Sequence, residues 1–202
     1  MILNDREYHA ASVRGSPIVS PYQPGLVSKD ANGKGVLSFG QSSFGYDLRC
    51  GVTVLVPRRS LWRRVVTALT GTRVVDAKRS DPKDWKVLDR RATGEVVIPP
   101  RTFFMVEAHE YIVVPDDAMG VVMAKSSYAR CGIMATTTPL EPGWAGYLTL
   151  EFYNSMPFPV AIWPGEGIAQ MYLLRGERPA VNYRDRKGKY QNQPAVPVLS
   201  RV

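Results

Sequence analysis

The stretch WAGYLTLEFYNS (residues 144–155) decides the fold, because its apolar and polar side chains alternate with the two-residue period of a β-strand. The alternation places Leu148, Leu150 and Phe152 on one face, which we expect to lie in the core. The opposite face carries Glu151 together with two tyrosines and a threonine. That carboxylate is either a solvated surface residue or the acid/base of an active site, and the strand alone leaves both interpretations open.

Short apolar runs separated by turns fill most of the remaining chain. SFGQSSFG (38–45) predicts a tight loop, and YDLRCGVTVLV (46–56) predicts the strand that comes after it. GEVVIPPRTFFMVEAHEYIVVPDDAMGVVMA (94–124) and PVAIWPGEGIAQMYLL (159–174) predict further short strands broken at prolines and glycines. This spacing favours an all-β fold with short helices, either a barrel or a jelly-roll-like sandwich.

Two segments predict helices within this pattern. The first lies near the N-terminus, at about residues 5–11. The second is a basic insertion at about residues 58–80, with Ser60 as N-cap and Gly71 as its end. Its apolar face comprises Leu61, Trp62, Val65, Val66 and Leu69. This helix either packs on the barrel or binds a partner such as nucleic acid, and the sequence leaves both open.

Composition narrows the functional classes. The 202 residues suit a single domain over residues 1–202, and a formal charge of +8 suits a polyanionic partner, a nucleotide or nucleic acid, as well as a merely basic surface. The start of the chain lacks the apolar segment of a signal peptide, and no apolar run reaches membrane-spanning length, which predicts a cytoplasmic protein. The two cysteines and two histidines show no zinc-binding or disulfide spacing.

Two basic stretches carry polar groups that a core does not need. In AKSSYARCG (124–132), Ser126 and Arg130 are four residues apart, so a short helix would place both on one face of a phosphate-binding turn. The C-terminal tail, about residues 175–202, contains NYRDRKGKYQNQ (182–193), whose side chains suit phosphate and base contacts. The alternatives are a capped surface helix for the first and a solvated terminus for the second.

Several motifs in the same order resemble those of the dCTP deaminases of the dUTPase-like superfamily. They are MILNDREY (1–8), SSFGYDLR (42–49), KSSYARCGI (125–133), EPGWAGYLTLEFYNS (141–155), PGEGIAQ (164–170) and KYQNQ (189–193). The resemblance covers nearly the whole chain except the basic insertion. It implies a distorted β-barrel of the dUTPase-like type, a homotrimer with active sites shared between subunits, and hydrolysis of dCTP to dUTP and ammonia. Mg²⁺ is expected to accompany the triphosphate.

The resemblance also assigns roles to residues of this chain. It implies that Glu151 is the general base and acid, and that Ser126 and Arg130 hold the attacking water and the developing intermediate. The implied substrate-binding residues are Lys125, Ser126, Ser127, Tyr128, Ala129, Arg130, Thr138, Thr149, Leu150, Glu151, Gln170, Tyr183, Lys189 and Gln193. No protein-bound metal is implied, and nucleic acid and membranes are not expected partners.

The residue chemistry is compatible with this role. Zinc-dependent deaminases use an H-x-E and P-C-x-x-C signature, which this chain lacks, so a carboxylate would have to move the protons at C4 and N3 of cytosine. General-base catalysis contributes about 10²–10⁴-fold, so preorganised electrostatics must supply much of the remaining acceleration. A group that accepts and returns a proton near neutral pH needs a raised pKa, and we predict that partial burial raises the pKa of Glu151.

Three other functions remain open at this stage. A dUTPase of the same fold has a second Asp in its I-D-x-D-Y-x-G motif, where this chain has Gly143, but a bifunctional deaminase and dUTPase is still an alternative. A non-catalytic relative that binds nucleotides or nucleic acid is another. The sequence also departs from the deaminase pattern at Ala124 and in MATTTPLEP (134–142), whose extra threonines suggest a preference for a modified cytosine.

Overall fold

The computed structural model describes residues 1–58 and 76–201. Most of the predicted basic insertion, including its helix from Ser60 to Gly71, lies outside the described residues. The chain continues with a turn at residues 77–79 and a short 3-10 helix, Pro82–Asp84, which leads into a strand.

Strands dominate the described residues, which confirms the predicted all-β fold with short helices. The helices are α1 (Asp5–Val13) and α2 (Ser126–Arg130). The strands are β1 (Val19–Ser20), β2 (Val27–Lys29), β3 (Gly35–Gln41), β4 (Tyr46–Pro57), β5 (Trp85–Leu88), β6 (Val96–Ile98), β7 (Thr102–Val113), β8 (Ala118–Ala124), β9 (Ile133–Ala135), β10 (Ala145–Asn154), β11 (Val160–Ile162) and β12 (Gly167–Arg175).

The strands form a curled antiparallel sheet that encloses the core. Its main path runs β2–β3–β4–β7–β10–β9, while β12 pairs with both β4 and β8. Strand β5 extends the sheet beyond β4, and β6 pairs with β11 separately. Because β4 and β7 are both 12 residues long and central, their inward side chains supply much of the buried apolar surface.

Strand β10 lies between β7 and β9 and shows the predicted alternation over most of its length. Leu150 and Phe152 are fully buried, and the Phe152 ring stacks on Phe104 with centroids 5.4 Å apart. Leu148 belongs to the buried core as predicted and also lines a cavity, but the next residue, Thr149, is buried as well, so the alternation is interrupted here. The cause is an irregularity in the pairing with β7 between Tyr147 and Thr149, which interrupts the two-residue period.

The N-terminal half departs from the sequence prediction in one place. Residues 38–45 were expected to form a loop, but β3 extends to Gln41, which confines the turn to residues 42–45. The predicted N-terminal helix is confirmed as α1, where Asn4 caps the first turn and Glu7 completes a capping box.

Within residues 1–58 and 76–201, no helix is long and apolar enough to span a membrane. Both cysteines are free, Cys50 buried and Cys131 exposed.

Replacing Phe152 by Ala should destabilise the protein, because the change removes a fully buried ring from the core and leaves a cavity against Phe104. Such truncations cost about 3–5 kcal/mol. The measurement is the urea midpoint of unfolding by circular dichroism. The matched control is Phe158→Ala, since Phe158 is 55% exposed, and equal midpoints for the two variants would contradict this account of the core.

Candidate active site

A cavity of about 1090 Å³ opens over one face of β10. Several of the residues predicted to bind substrate line it: Thr138, Thr149, Glu151, Tyr183, Lys189 and Gln193. We call these six the cavity group. The polar face of β10, which the sequence left ambiguous, is therefore the wall of a pocket, while Leu150 on the other face is buried in the core.

Glu151 is the half-buried carboxylate of this wall. It lies directly opposite Met105 of β7, and its backbone carbonyl accepts a hydrogen bond from the Thr136 N–H at 2.9 Å. Burial raises the pKa of its side chain from 4.5 to about 7, and a hydrogen bond with its own backbone opposes the shift only in part. The predicted rise in the pKa of Glu151 is confirmed, and its cause is the predicted one.

The C-terminal tail closes one side of the cavity. Gln193 runs parallel to Gly146 of β10, and its backbone carbonyl accepts a hydrogen bond from Tyr147 N–H at 3.0 Å. Its side-chain Oε1 accepts bonds from both the backbone N–H and the hydroxyl of Thr149. The approach requires glycine at 146, because a Cβ there would lie 2.6 Å from the Gln193 nitrogen.

Aromatic side chains hold the rest of the tail in place. The Tyr183 hydroxyl accepts a hydrogen bond from Tyr190 N–H at 2.9 Å, and the indole N–H of Trp144 donates to the Tyr190 carbonyl at 2.8 Å. The Lys189 ammonium lies 5.1 Å from the centre of the Tyr190 ring. These contacts place Tyr183 and Lys189 at the cavity, so the tail is a packed wall rather than the solvated terminus that was the alternative interpretation.

The predicted tail of about residues 175–202 lines the cavity to its end, through residues that the sequence did not single out. Val198 N–H donates to the Thr149 hydroxyl at 2.9 Å, and the Ser200 hydroxyl donates to the Ala77 carbonyl at 2.7 Å. Sequence reasoning also missed Trp85, Phe103 and Met105, which line the same cavity. Apolar residues in strands carry no signal that separates a pocket wall from a core.

Asp116, in the turn between β7 and β8, anchors the tail at its start. Its carboxylate accepts hydrogen bonds from Arg178 Nη2 and Asn182 Nδ2, each at 3.0 Å, and from Arg184 Nη2 at 3.3 Å. Asn182 is 3% exposed, and its amide oxygen accepts a bond from Asp185 N–H at 2.8 Å. Two of the tail's cations are therefore paired with an acid of their own chain.

The other predicted site residues lie elsewhere. Lys125, Ser126, Ser127, Tyr128, Ala129, Arg130 and Gln170 do not line the cavity, and we call them the helix group. The predicted short helix is confirmed as α2, with Ser126 and Arg130 both exposed. Lys125 is paired with Asp47, and Asp47 lies opposite Gln170 in the β4–β12 pairing, so the group is compact.

Tyr128 and Leu150 differ from the other predicted substrate-binding residues. Tyr128 is 3% exposed, and its hydroxyl accepts a hydrogen bond from Trp163 N–H at 3.0 Å. Leu150 is fully buried. Both side chains pack in the protein, so any contact that these residues make with a ligand would come from the backbone.

The position of the second dUTPase aspartate is filled by the tail. Gly143 has φ +78°, and a Cβ added there would lie 2.9 Å from Cγ of Asn182 and 3.1 Å from Oδ1 of Asp116. Any side chain at 143 would therefore displace the Asn182–Asp116 anchor. This packing disfavours any side chain at position 143.

Comparison with known proteins gives consistent results. A family model described as dCTP deaminase-like matches residues 2–176. Two proteins named dCTP deaminase, from strain PXO99A of Xanthomonas oryzae pv. oryzae and from Xanthomonas euvesicatoria pv. vesicatoria, are 39% and 40% identical to the chain over 180 residues. Each of these alignments covers 89% of this chain and 88% of the relative.

A solved structure extends the likeness to the fold. The crystal structure of 2'-deoxycytidine 5'-triphosphate deaminase from Agrobacterium tumefaciens matches with a TM-score of 0.55 at 20% identity. The match covers 87% of this chain, which spans about half of that protein's chain, 48%. At this identity the likeness concerns the fold alone.

Replacing Asp116 by Ala should loosen the tail, because Arg178, Asn182 and Arg184 would lose their shared acceptor. Limited trypsin digestion measures the effect, and we expect faster cleavage after the basic residues of 184–189 than in the wild type. Asp185→Ala is the control, since that carboxylate lies 3.8 Å from Arg184 Nε and is 56% exposed. Equal cleavage rates in all three proteins would refute the anchoring role.

Proposed function

The chain belongs to the dCTP deaminase-like family, and from this membership we propose that it is a cytoplasmic enzyme that hydrolyses dCTP to dUTP and ammonia without zinc. The observation that carries the proposal is Glu151, a half-buried carboxylate with a pKa of about 7 on the wall of a cavity large enough for a nucleotide. No histidine or cysteine is among the described residues that line this cavity.

Deamination needs two proton movements, and one carboxylate can perform both. Glu151 removes a proton from water as its oxygen attacks C4 of cytosine, and it delivers that proton to N3. Glu151 then takes the proton of the C4 hydroxyl of the tetrahedral intermediate and gives it to the amino group, so that the C4–N bond breaks, ammonia leaves and the C4 carbonyl of dUTP remains. A pKa of about 7 suits this exchange, because the group is then both an adequate base and an adequate acid at neutral pH.

The cavity is lined by two cations, Lys189 and Arg79, of which we assign Lys189 to the triphosphate, and the helix group contains a further exposed cation, Arg130. We propose that Ser126 and Arg130 of the partner subunit complete each site in a homotrimer. Two features support this: both side chains are exposed in a single chain, and apolar residues are exposed on β8 and β12, one of which, Met123, is three residues before Ser126. Those apolar residues are Met119, Met123 and Leu174.

The tail is the proposed triphosphate cover. Lys189 and Tyr183 line the cavity and offer a cation and a hydroxyl to phosphate oxygens. The described residues contain no group of three or more carboxylate, histidine or cysteine side chains able to hold a metal. A Mg²⁺ ion would therefore be bound mainly by triphosphate oxygens and water, as is usual for this ion, and would neutralise phosphate charge.

Hydrolysis of dUTP at this site is the alternative that the geometry favours less. It needs a base near the α-phosphate, and the position at which a dUTPase places that base is Gly143, packed against Asn182. The proposed enzyme therefore stops at dUTP.

Incubation with dCTP and Mg²⁺ should release ammonia and dUTP in equal amounts, with no dUMP or pyrophosphate.

Below pH 7, kcat/KM should fall about tenfold per pH unit, because protonation of Glu151 removes the base from the free enzyme. Glu151→Gln should lower kcat by at least about 10²-fold while nucleotide binding, followed by calorimetry, persists.

The matched control is Glu177→Gln, which changes an exposed glutamate outside the cavity and should keep wild-type activity. Formation of dUMP and pyrophosphate would show a bifunctional enzyme. Salt-dependent DNA binding without ammonia release would instead establish the non-catalytic alternative. Near-wild-type turnover by Glu151→Gln would refute the role given to that residue.

Mixing two inactive variants tests whether sites are shared. Glu151→Gln and Arg130→Ala each destroy one half of a shared site, so after co-refolding at equal amounts about one quarter of the sites should carry both intact halves. We expect recovery of about that fraction of wild-type activity, measured as ammonia release. If each chain held a complete site, no mixture would recover activity.

A further inference from the structure

An apolar recess adjoins the proposed catalytic carboxylate. Met105 lies directly opposite Glu151 in the β7–β10 pairing, so both side chains project from the same face of the sheet. Phe103 is two residues from Met105 on β7 and shares that face. Trp85 of β5 meets Phe103 edge to face, with ring centroids 6.0 Å apart. All three apolar side chains line the cavity.

The rest of the cavity wall carries hydrogen-bonding groups among further apolar residues such as Trp144 and Leu148. Thr138 lies in the loop before β10, and Thr149 with Gln193 lies along β10 itself. A cytosine ring has a matching division, because C4 separates a polar flank, N3 and O2, from a carbon flank, C5 and C6. With C4 presented to Glu151, the polar flank faces the hydrogen-bonding groups and the C5 position faces the apolar recess.

We propose that this recess binds an alkyl group on C5, and that the enzyme prefers 5-methylcytosine deoxynucleoside triphosphate to dCTP. This inference rests on the proposed deaminase function. Water attacks C4, the C4–N bond breaks, and ammonia leaves, so the product of 5-methyl-dCTP is thymidine triphosphate. The cavity, at about 1090 Å³, is at the upper end of the range of small-molecule sites, which leaves room for the added group.

The recess also selects among substituents. A hydroxymethyl group would bring a hydroxyl against Met105 and Phe103, which form no strong hydrogen bond, and against Trp85, whose indole N–H is the single strong donor of the recess. The threonine loop compensates little, because the Thr137 hydroxyl already donates to the Val122 carbonyl at 2.7 Å. The threonine run alone suggests that the enzyme prefers modified cytosine nucleotides in general. The apolar recess restricts this preference to nucleotides with an apolar group on C5.

The test compares kcat/KM for dCTP, 5-methyl-dCTP and 5-hydroxymethyl-dCTP with the full-length enzyme and Mg²⁺. One extra methyl in an apolar pocket is worth roughly tenfold or more, so kcat/KM should be higher for 5-methyl-dCTP than for the other two by about that factor. Thymidine triphosphate should appear as the product of 5-methyl-dCTP. Phe103→Ala should reduce the preference, whereas Phe158→Ala, an exposed phenylalanine outside the cavity, should keep it.

The Glu151→Gln variant gives a second measurement that does not need turnover, since it should bind 5-methyl-dCTP more tightly than dCTP. Turnover of dCTP at an equal or higher kcat/KM than 5-methyl-dCTP would overturn this inference and leave the proposed deaminase intact. Absence of ammonia release from all three nucleotides would overturn the proposed function, and the inference with it.

Discussion

The two faces of strand β10 lie in different environments, the hydrophobic core and the cavity, and the geometry of the site depends on both. Its core face carries Leu150 and Phe152, which are fully buried, so the strand cannot rotate or slip without exposing them. The opposite face therefore keeps Glu151 at a fixed depth beside Met105. That depth removes enough water to raise the pKa of the carboxyl group and still leaves it open to a cavity. The ten residues of β10 therefore both pack the core and hold the Glu151 carboxyl group.

The second constraint is the docking of the tail on the edge of the cavity. Gln193 continues the hydrogen bonding of β10, and Asp116 holds the start of the tail through three side chains. Between these two attachments the chain presents Tyr183 and Lys189 to the cavity. A flexible basic segment would repel itself and would lose conformational entropy on closing over a ligand. In this protein the tail is already docked on the cavity, so binding a ligand does not have to order it.

Sequence reasoning identified the parts of the site that are visible in local patterns. Alternation within residues 147–153 placed Glu151 on the polar face and left its role open, and the family resemblance assigned roles to Glu151, Tyr183, Lys189 and Gln193. It could not predict that Thr149 is buried next to Leu148, because the irregular pairing with β7 depends on a strand about forty residues away. It could not find Asp116 either, since that residue acts through partners more than sixty positions later in the chain. The division of the predicted residues into a cavity group and a helix group also depends on how the strands pair, which no local motif encodes.

The packing at Gly143 has an evolutionary consequence. A deaminase and a dUTPase that share a fold differ in part by one carboxylate, which suggests that a single codon change could interconvert them. In this chain the space for that carboxylate holds the amide of Asn182, 3% exposed and bonded to Asp116. A Gly143→Asp mutant would acquire the acid and lose the docked tail in the same step. A carboxylate at position 143 is therefore compatible with this fold only together with a second change that attaches the tail in another way.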